Sequence, residues 1–173
     1  MKKTWLLVVA LSFSVIFSVK GEKTDFSKQV KEICKEICQE KGVSIISEEP
    51  LQHNGKTIEG GLNIGIKLVD GQLISALLLV PASINNTPYL KLLTQFSSAV
   101  PLPLDLLDDW NRKMDLTKAW RGNERVVTLE SNLPLPLSTT ESKELKELIG
   151  NWLLWFEKEL RIFWIYLTVN VSQ

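Results

Sequence analysis

Leu62-Asn63-Ile64-Gly65-Ile66-Lys67-Leu68 places Leu62, Ile64, Ile66 and Leu68 on one side of an extended chain and Asn63, Gly65 and Lys67 on the other. Alternation of this kind marks a half-buried strand. Asp70-Gly71 follows, a pair that accepts the positive φ of a tight hairpin turn. Leu73-Ile74-Ser75-Ala76-Leu77-Leu78-Leu79-Val80 then returns almost wholly apolar. A strand apolar on both faces belongs in the middle of a sheet or under a helix. This hairpin therefore commits the chain to an antiparallel sheet that something must cover.

Upstream, residues 25–41 carry Val30, Ile33, Cys34, Ile37 and Cys38 at helical spacing, with Lys28, Lys31, Glu32, Lys35, Glu36 and Gln39 opposite. Asp25 or Ser27 suits the start, and Gly42 the left-handed end. Val43 to Ser47 reads as a strand, and His53-Asn54-Gly55-Lys56 as a turn.

Downstream, residues 81–88 read as a polar loop with two prolines. Residues 89–97 fit a helix (Tyr89, Leu92, Leu93, Phe96) and a strand (Leu90, Leu92, Thr94, Phe96) equally. Pro101-Leu102-Pro103-Leu104 and Pro134-Leu135-Pro136-Leu137 each lead stiffly into a helical pattern. The first helix, Asp105 to Met114, has Leu106, Leu107, Trp110 and Met114 on one face. Leu116 to Arg121 and Val126 to Leu133 predict a hairpin around Gly122-Asn123.

The final helix opens with a capping box, Ser138 and Glu141. Its expected inner edge is Leu145, Leu148, Ile149, Trp152, Trp155, Phe156, Glu159 and Phe163, with Glu159 the single break. Ile162-Phe163-Trp164-Ile165-Tyr166-Leu167 is apolar all round and needs cover from two sides. The expected fold class is α+β, with the terminal helices on one face of the sheet and the Trp110 helix inserted between its halves.

The 173 residues include 20 Lys or Arg, 20 Asp or Glu and one His, so the formal charge is zero. Lys2 and Lys3, the uncharged Trp5–Val19 run and Gly21 have the layout of a secretory signal, and the run is short for a bilayer span. The expected division is a signal peptide at 1–21 and one domain at 22–173, exported to a bacterial periplasm or beyond. Retention of the segment as an anchor is the alternative. Cleavage removes Lys2, Lys3 and Lys20, leaving 17 basic against 20 acidic residues, a net −3. With no basic stripe, nucleic acid is not an expected partner.

Candidate chemistry is sparse. Cys34 and Cys38 lie on the apolar stripe of the first helix and read as core residues, with an oxidised pair as the alternative. His53 stands alone in a turn, without a partner for base or ligand work. Asp105, Asp108 and Asp109 sit in the first turns of a helix, where the macrodipole favours negative charge. Gly60, Gly61 and Gly65 lack the Lys-Ser/Thr of a phosphate loop. Asn85-Asn86-Thr87 and Asn170-Val171-Ser172 fit the glycosylation pattern, which matters only outside bacteria. No catalytic residue, metal ligand or cofactor is expected. Trp110 reads as core. Asn111 is placed to bond freed carbonyls or the next strand's backbone, fixing how helix and strand meet.

Leu107-Asp108-Asp109-Trp110-Asn111-Arg112-Lys113 resembles the helix motif of the YbjN domain family, Leu-Asn-x-Trp-Asn followed by basic residues. The hairpin after it and the Trp- and Phe-rich final helix extend the resemblance over about Tyr89 to Phe163, more weakly back to Asp25. Asp108 departs from the motif's first Asn, and the export signal departs from cytoplasmic members. The resemblance implies a type III secretion chaperone-like fold, a twisted antiparallel sheet packed by helices and often dimeric. It favours a strand at 89–97 and gives Trp110, Asn111 and Arg112 a structural role. It also implies a binding module with no reaction of its own, regulatory or chaperone-like. The expectation is an exported, non-enzymatic protein-interaction module. Its surface would be Ile162, Phe163, Trp164, Ile165, Tyr166 and Leu167, and a homodimer its simplest use, split by Trp164→Glu without unfolding. A carrier of an apolar ligand such as a lipid is the alternative, with the same aromatic face as a pocket wall between helix and sheet.

Overall fold

The computed structural model describes residues 26–48, 51–53, 56–58, 61–68, 70–84, 87–98, 100–136 and 142–171. The proposed signal segment, Asp25, the Asn54-Gly55 turn, Gly60, the Asn85-Asn86 pair and the Ser138–Glu141 box lie outside them.

The fold is α+β. Helix α1 (26–41) precedes strands β1 (Ser44–Ser47), β2 (Leu51–His53), β3 (Lys56–Ile58), β4 (Gly61–Lys67), β5 (Leu73–Ile84) and β6 (Thr87–Ser97). Helix α2 (Leu104–Lys113), β7 (Thr117–Asn123), β8 (Val126–Pro134) and α3 (Ser142–Val171) follow. Six strands form an antiparallel sheet in the order β1-β4-β5-β6-β8-β7, and β2 pairs with β3. The inserted α2 thus separates β6 from the β7–β8 hairpin.

Gly42 ends α1 at φ 67°, with Gly42 N–H bonded to Gln39 O and Val43 N–H to Cys38 O, the two bonds of a Schellman cap. Gly71 takes φ 85° in the β4–β5 turn, where Asp70 Oδ1 accepts from Gln72 N–H at 3.0 Å. β4 and β5 pair in unbroken register from Gly61 opposite Leu79 to Lys67 opposite Leu73.

Two local readings are corrected, and one that stood open is resolved. Residues 81–84 and 87–88 are strand, not loop: β5 runs on to Ile84 and β6 begins at Thr87. Pro81 lies inside the register shift between Leu79 and Ala82, where a residue without an N–H costs no ladder bond. Residues 89–97 are strand β6 between β5 and β8; pairing on both sides resolves what its own pattern left open. The β7–β8 turn falls at Glu124-Arg125, two residues past the expected Gly122-Asn123. Gly122 sits instead in the register shift between Arg121 and Asn123, and Asn123 Oδ1 accepts from Arg125 N–H at 2.9 Å.

One face of the sheet carries Leu62, Ile64 and Ile66 of β4, Ala76 and Leu78 of β5, Leu90, Leu92 and Phe96 of β6, and Val127 and Leu129 of β8, all buried. The α1 stripe, Leu106, Leu107 and Trp110 of α2, and the inner side of α3 join the same core. Leu102 and Leu135, each between two prolines, are both buried. The other face carries no helix among the described residues: Leu73 and Trp120 are exposed and Leu77 and Leu79 half-buried, while Leu93 and Thr128 at its middle are buried. Among the described residues, β5 is thus central in the sheet but covered by helices on one side only.

Candidate functional site

Helix α3 is 30 residues long and has two unlike faces. Leu145, Ile149, Trp152, Leu153, Phe156, Leu160, Phe163 and Leu167 are buried along the i+3/i+4 track that meets the sheet. Lys146 Nζ binds Glu36 and Glu40 of α1, at 3.1 and 2.7 Å. Trp152 Nε1 donates to Ser131 Oγ at 2.9 Å. Arg161 Nε donates to Lys67 O on β4 at 3.1 Å, while Glu159 holds Thr117 on β7, four strands across. Those strands are four strand spacings apart, about 19 Å on a flat sheet, and α3 bridges them.

Two side chains close the β7 edge. Asn111 Nδ2 donates to Ala119 O and its Oδ1 accepts from Ala119 N–H, both at 2.7 Å. Glu159 Oε2 accepts from Thr117 N–H at 3.0 Å and from Thr117 Oγ1 at 2.6 Å. Thr117 N–H, Ala119 N–H and Ala119 O, three of the backbone groups that would template another strand, are thus already occupied. The expected backbone role of Asn111 is met. Glu159, conspicuous in sequence only as a break in the apolar series, proves to be its counterpart. Lys118 Nζ completes the join by donating to Asn111 O, at 3.0 Å, and to Met114 O at the end of α2.

Around Trp110 the packing is aromatic: Phe163 lies edge-on at 4.7 Å and Tyr166 at 5.6 Å. Trp110 is buried, and its Nε1 has no acceptor among the described residues. The Tyr166 hydroxyl lies 3.1 Å from Leu106 O and 3.0 Å from Asp109 Oδ2, which share its proton. Desolvation first and then the Asp109 bond raise the Tyr166 pKa, while the bonds from Lys113 and Tyr166 lower that of Asp109. Arg112 follows on α2 as a residue of its basic last turn. The motif residues Trp110 and Asn111 therefore knit α2 to α3 and to β7.

The expected interaction residues divide. Phe163 and Leu167 are buried, and Trp164 and Tyr166 pack against the core, with Trp164 stacked on Phe96 at 5.9 Å. Ile162 and Ile165 are exposed. Leu148 and Trp155, expected on the inner edge, are exposed as well: each lies one position before a residue of the buried track, Ile149 and Phe156, and one position turns the helix by about 100°. The outer face consequently presents Leu148 (39% exposed), Leu154 (51%), Trp155 (54%), Ile162 (40%), Ile165 (49%) and Val169 (57%). A shallow groove of about 540 Å³ lies there, lined by Leu154, Trp155, Lys158, Arg161, Ile162 and Ile165. Lys158 Nζ sits 4.6 Å above the Trp155 ring, and Arg161 is paired with Glu157. All the groove's lining comes from one helix, so it is a dented convex surface. The expected pocket wall between helix and sheet is instead filled by the aromatic and aliphatic core.

Cys34 and Cys38 are free and buried in the core. Desolvation pushes their thiols up to about 12 and about 11, with the neighbouring Cys38 adding to the effect at Cys34. The side chain of His53 is outside the described residues. Asp105 caps its own helix through Leu106 N–H, at 3.0 Å. Among the described residues no group of three or more His, Cys, Asp or Glu side chains could hold a metal ion, and no helix is long and apolar enough to cross a membrane.

No protein-family model matches the chain, and no curated protein matches it.

Proposed function

We propose that this protein is an exported, non-enzymatic interaction module, of the regulatory or chaperone-like kind that the YbjN resemblance implied, and that it docks another protein on the outer face of α3. The exposed series Leu148, Leu154, Trp155, Ile162, Ile165 and Val169 carries this reading. Apolar side chains left in water along successive turns of one helix cost solvation energy that an interface recovers. A second copy of the chain is the simplest such partner to examine.

A photo-crosslinking residue at Ile165, in the chain expressed with its leader, tests the reading. The expected result is a discrete protein adduct in the exported compartment, absent when the crosslinker replaces Leu73 on the sheet's other face. Equal labelling from both positions, or none from Ile165, rejects it. Mass spectrometry of the exported chain checks the leader, with Glu22 expected as the first residue.

The groove at Trp155 and Ile162 favours a second reading, a carrier of an apolar ligand. Native mass spectrometry after gentle purification separates the two. A stoichiometric lipid adduct supports the carrier and a bare protein mass the docking module.

A further inference from the structure

Leu148, Trp155, Ile162 and Val169 are spaced seven residues apart, and Asn151, Lys158 and Ile165 fall between them three or four positions on. That is the seam a second helix reads, with knobs recurring every seven residues and two polar side chains interrupting the apolar run. A lipid surface has no use for such a register.

The charges on the seam narrow the partner. Lys158 makes no ion pair among the described residues and lies on the Trp155 ring. Arg161 is the other cation, and beyond Asn151 the one acid lining the groove is Glu157, already paired with Arg161.

A second copy fits poorly. The antiparallel register that sets Trp155 against Ile165 or Val169 brings Arg161 beside its own copy, with Glu144 and Glu147 past the partner's end. The register that faces Glu147 to Lys158 and Glu144 to Arg161 leaves Ile165 and Val169 beyond the start of the partner helix at Ser142. Parallel pairing stacks Lys158 on Lys158. No register satisfies both apolar and charged groups.

We infer that the occupant of this face is an acidic amphipathic helix of a different protein, its apolar stripe on Trp155, Ile162, Ile165 and Val169 and a carboxylate at Lys158. The inference rests on the docking reading above and names its partner class.

The test uses the full exported chain and three probes. Two are fluorescent 28-residue heptad peptides with Leu at the seam, flanked by Glu in one and by Lys in the other. The third is phosphatidylglycerol vesicles. Fluorescence anisotropy is expected to show the Glu peptide binding on the order of fivefold to tenfold tighter than the Lys peptide, a ratio that shrinks with added salt. Ile162→Glu should abolish both, and Lys158→Glu should reverse the preference while leaving the circular dichroism spectrum unchanged. Equal binding of the two peptides, or self-association by light scattering that Ile162→Glu removes, would overturn the acidic-helix inference and leave the docking face intact, whereas capture by vesicles would overturn both. A monomer that binds no probe would overturn both.

Discussion

At the scale of single residues, Asn111 and Glu159 do the same physical work from different helices. Each brings polar atoms to the unpaired edge of β7, and together they satisfy Thr117 and Ala119. Asn111→Ala strands one donor and one acceptor at a partly buried edge, at a cost of about 1–3 kcal/mol. Urea denaturation checks this, and Asn111→Asp should recover little because a carboxylate cannot donate to Ala119 O. The first half of the clasp was legible in sequence, since an amide at a helix end beside a strand has few other uses. Glu159 was not: a lone acid on an apolar stripe names no donor until the sheet lies under it. Cys34 and Cys38 give a pH prediction. Their folded pKa values lie above the ordinary value of 9.0, so between about pH 9 and 11 the unfolded chain releases thiol protons that the folded chain keeps. This contribution is therefore full below pH 9 and declines as pH rises. The urea midpoint should fall between pH 8.5 and pH 10.5 by more in the native sequence than in a Cys34→Ala, Cys38→Ala variant. Equal falls would show that the thiols do not titrate differently on folding.

At the scale of elements, the two glycines flanking helix and hairpin separate by backbone conformation. Gly42 holds φ 67° with nothing within 4 Å of an added Cβ, so Gly42→Ala meets no clash yet costs about 1 kcal/mol through its left-handed backbone. Gly122 has ordinary φ and its nearest neighbour would stand 3.7 Å from a Cβ, so Gly122→Ala should stay within about 0.5 kcal/mol of the native value. Thermal melts of the two variants make the comparison. The α1, β4, α2 and α3 elements were plain in sequence because each buries one face, and burying one face imposes a period; β5 was legible only as a continuous apolar run ending at Val80. β6 was not, because Leu92 and Phe96 satisfy both periods at once. Residues 81–84 were misread for a related reason: Pro81 usually signals a break, and only the neighbouring strands reveal a bulge that accommodates it.

At the scale of the molecule, α3 is both the main cover of the sheet and the candidate docking face. Phe163 is fully buried and Ile165, two residues on, is 49% exposed. Phe163→Ala should cost about 3–5 kcal/mol by chemical denaturation, whereas Ile165→Glu should change stability by less than about 0.5 kcal/mol. Trp164→Glu, the substitution expected to split a dimer harmlessly, instead strikes the Phe96 stack and should destabilise the fold. Similar losses at Phe163 and Ile165 would remove the distinction between the two faces. The sequence alone determined that a one-faced antiparallel sheet would be covered by amphipathic helices, because hydrophobic period follows directly from local backbone geometry. It also determined that the apolar run near the carboxyl end exceeds what one stripe needs. Which of those side chains face inward, and which sheet edge Glu159 closes, was decided by tertiary structure. Helix rotation and strand order arise from the packing of all the layers at once, and no local window of residues contains that information.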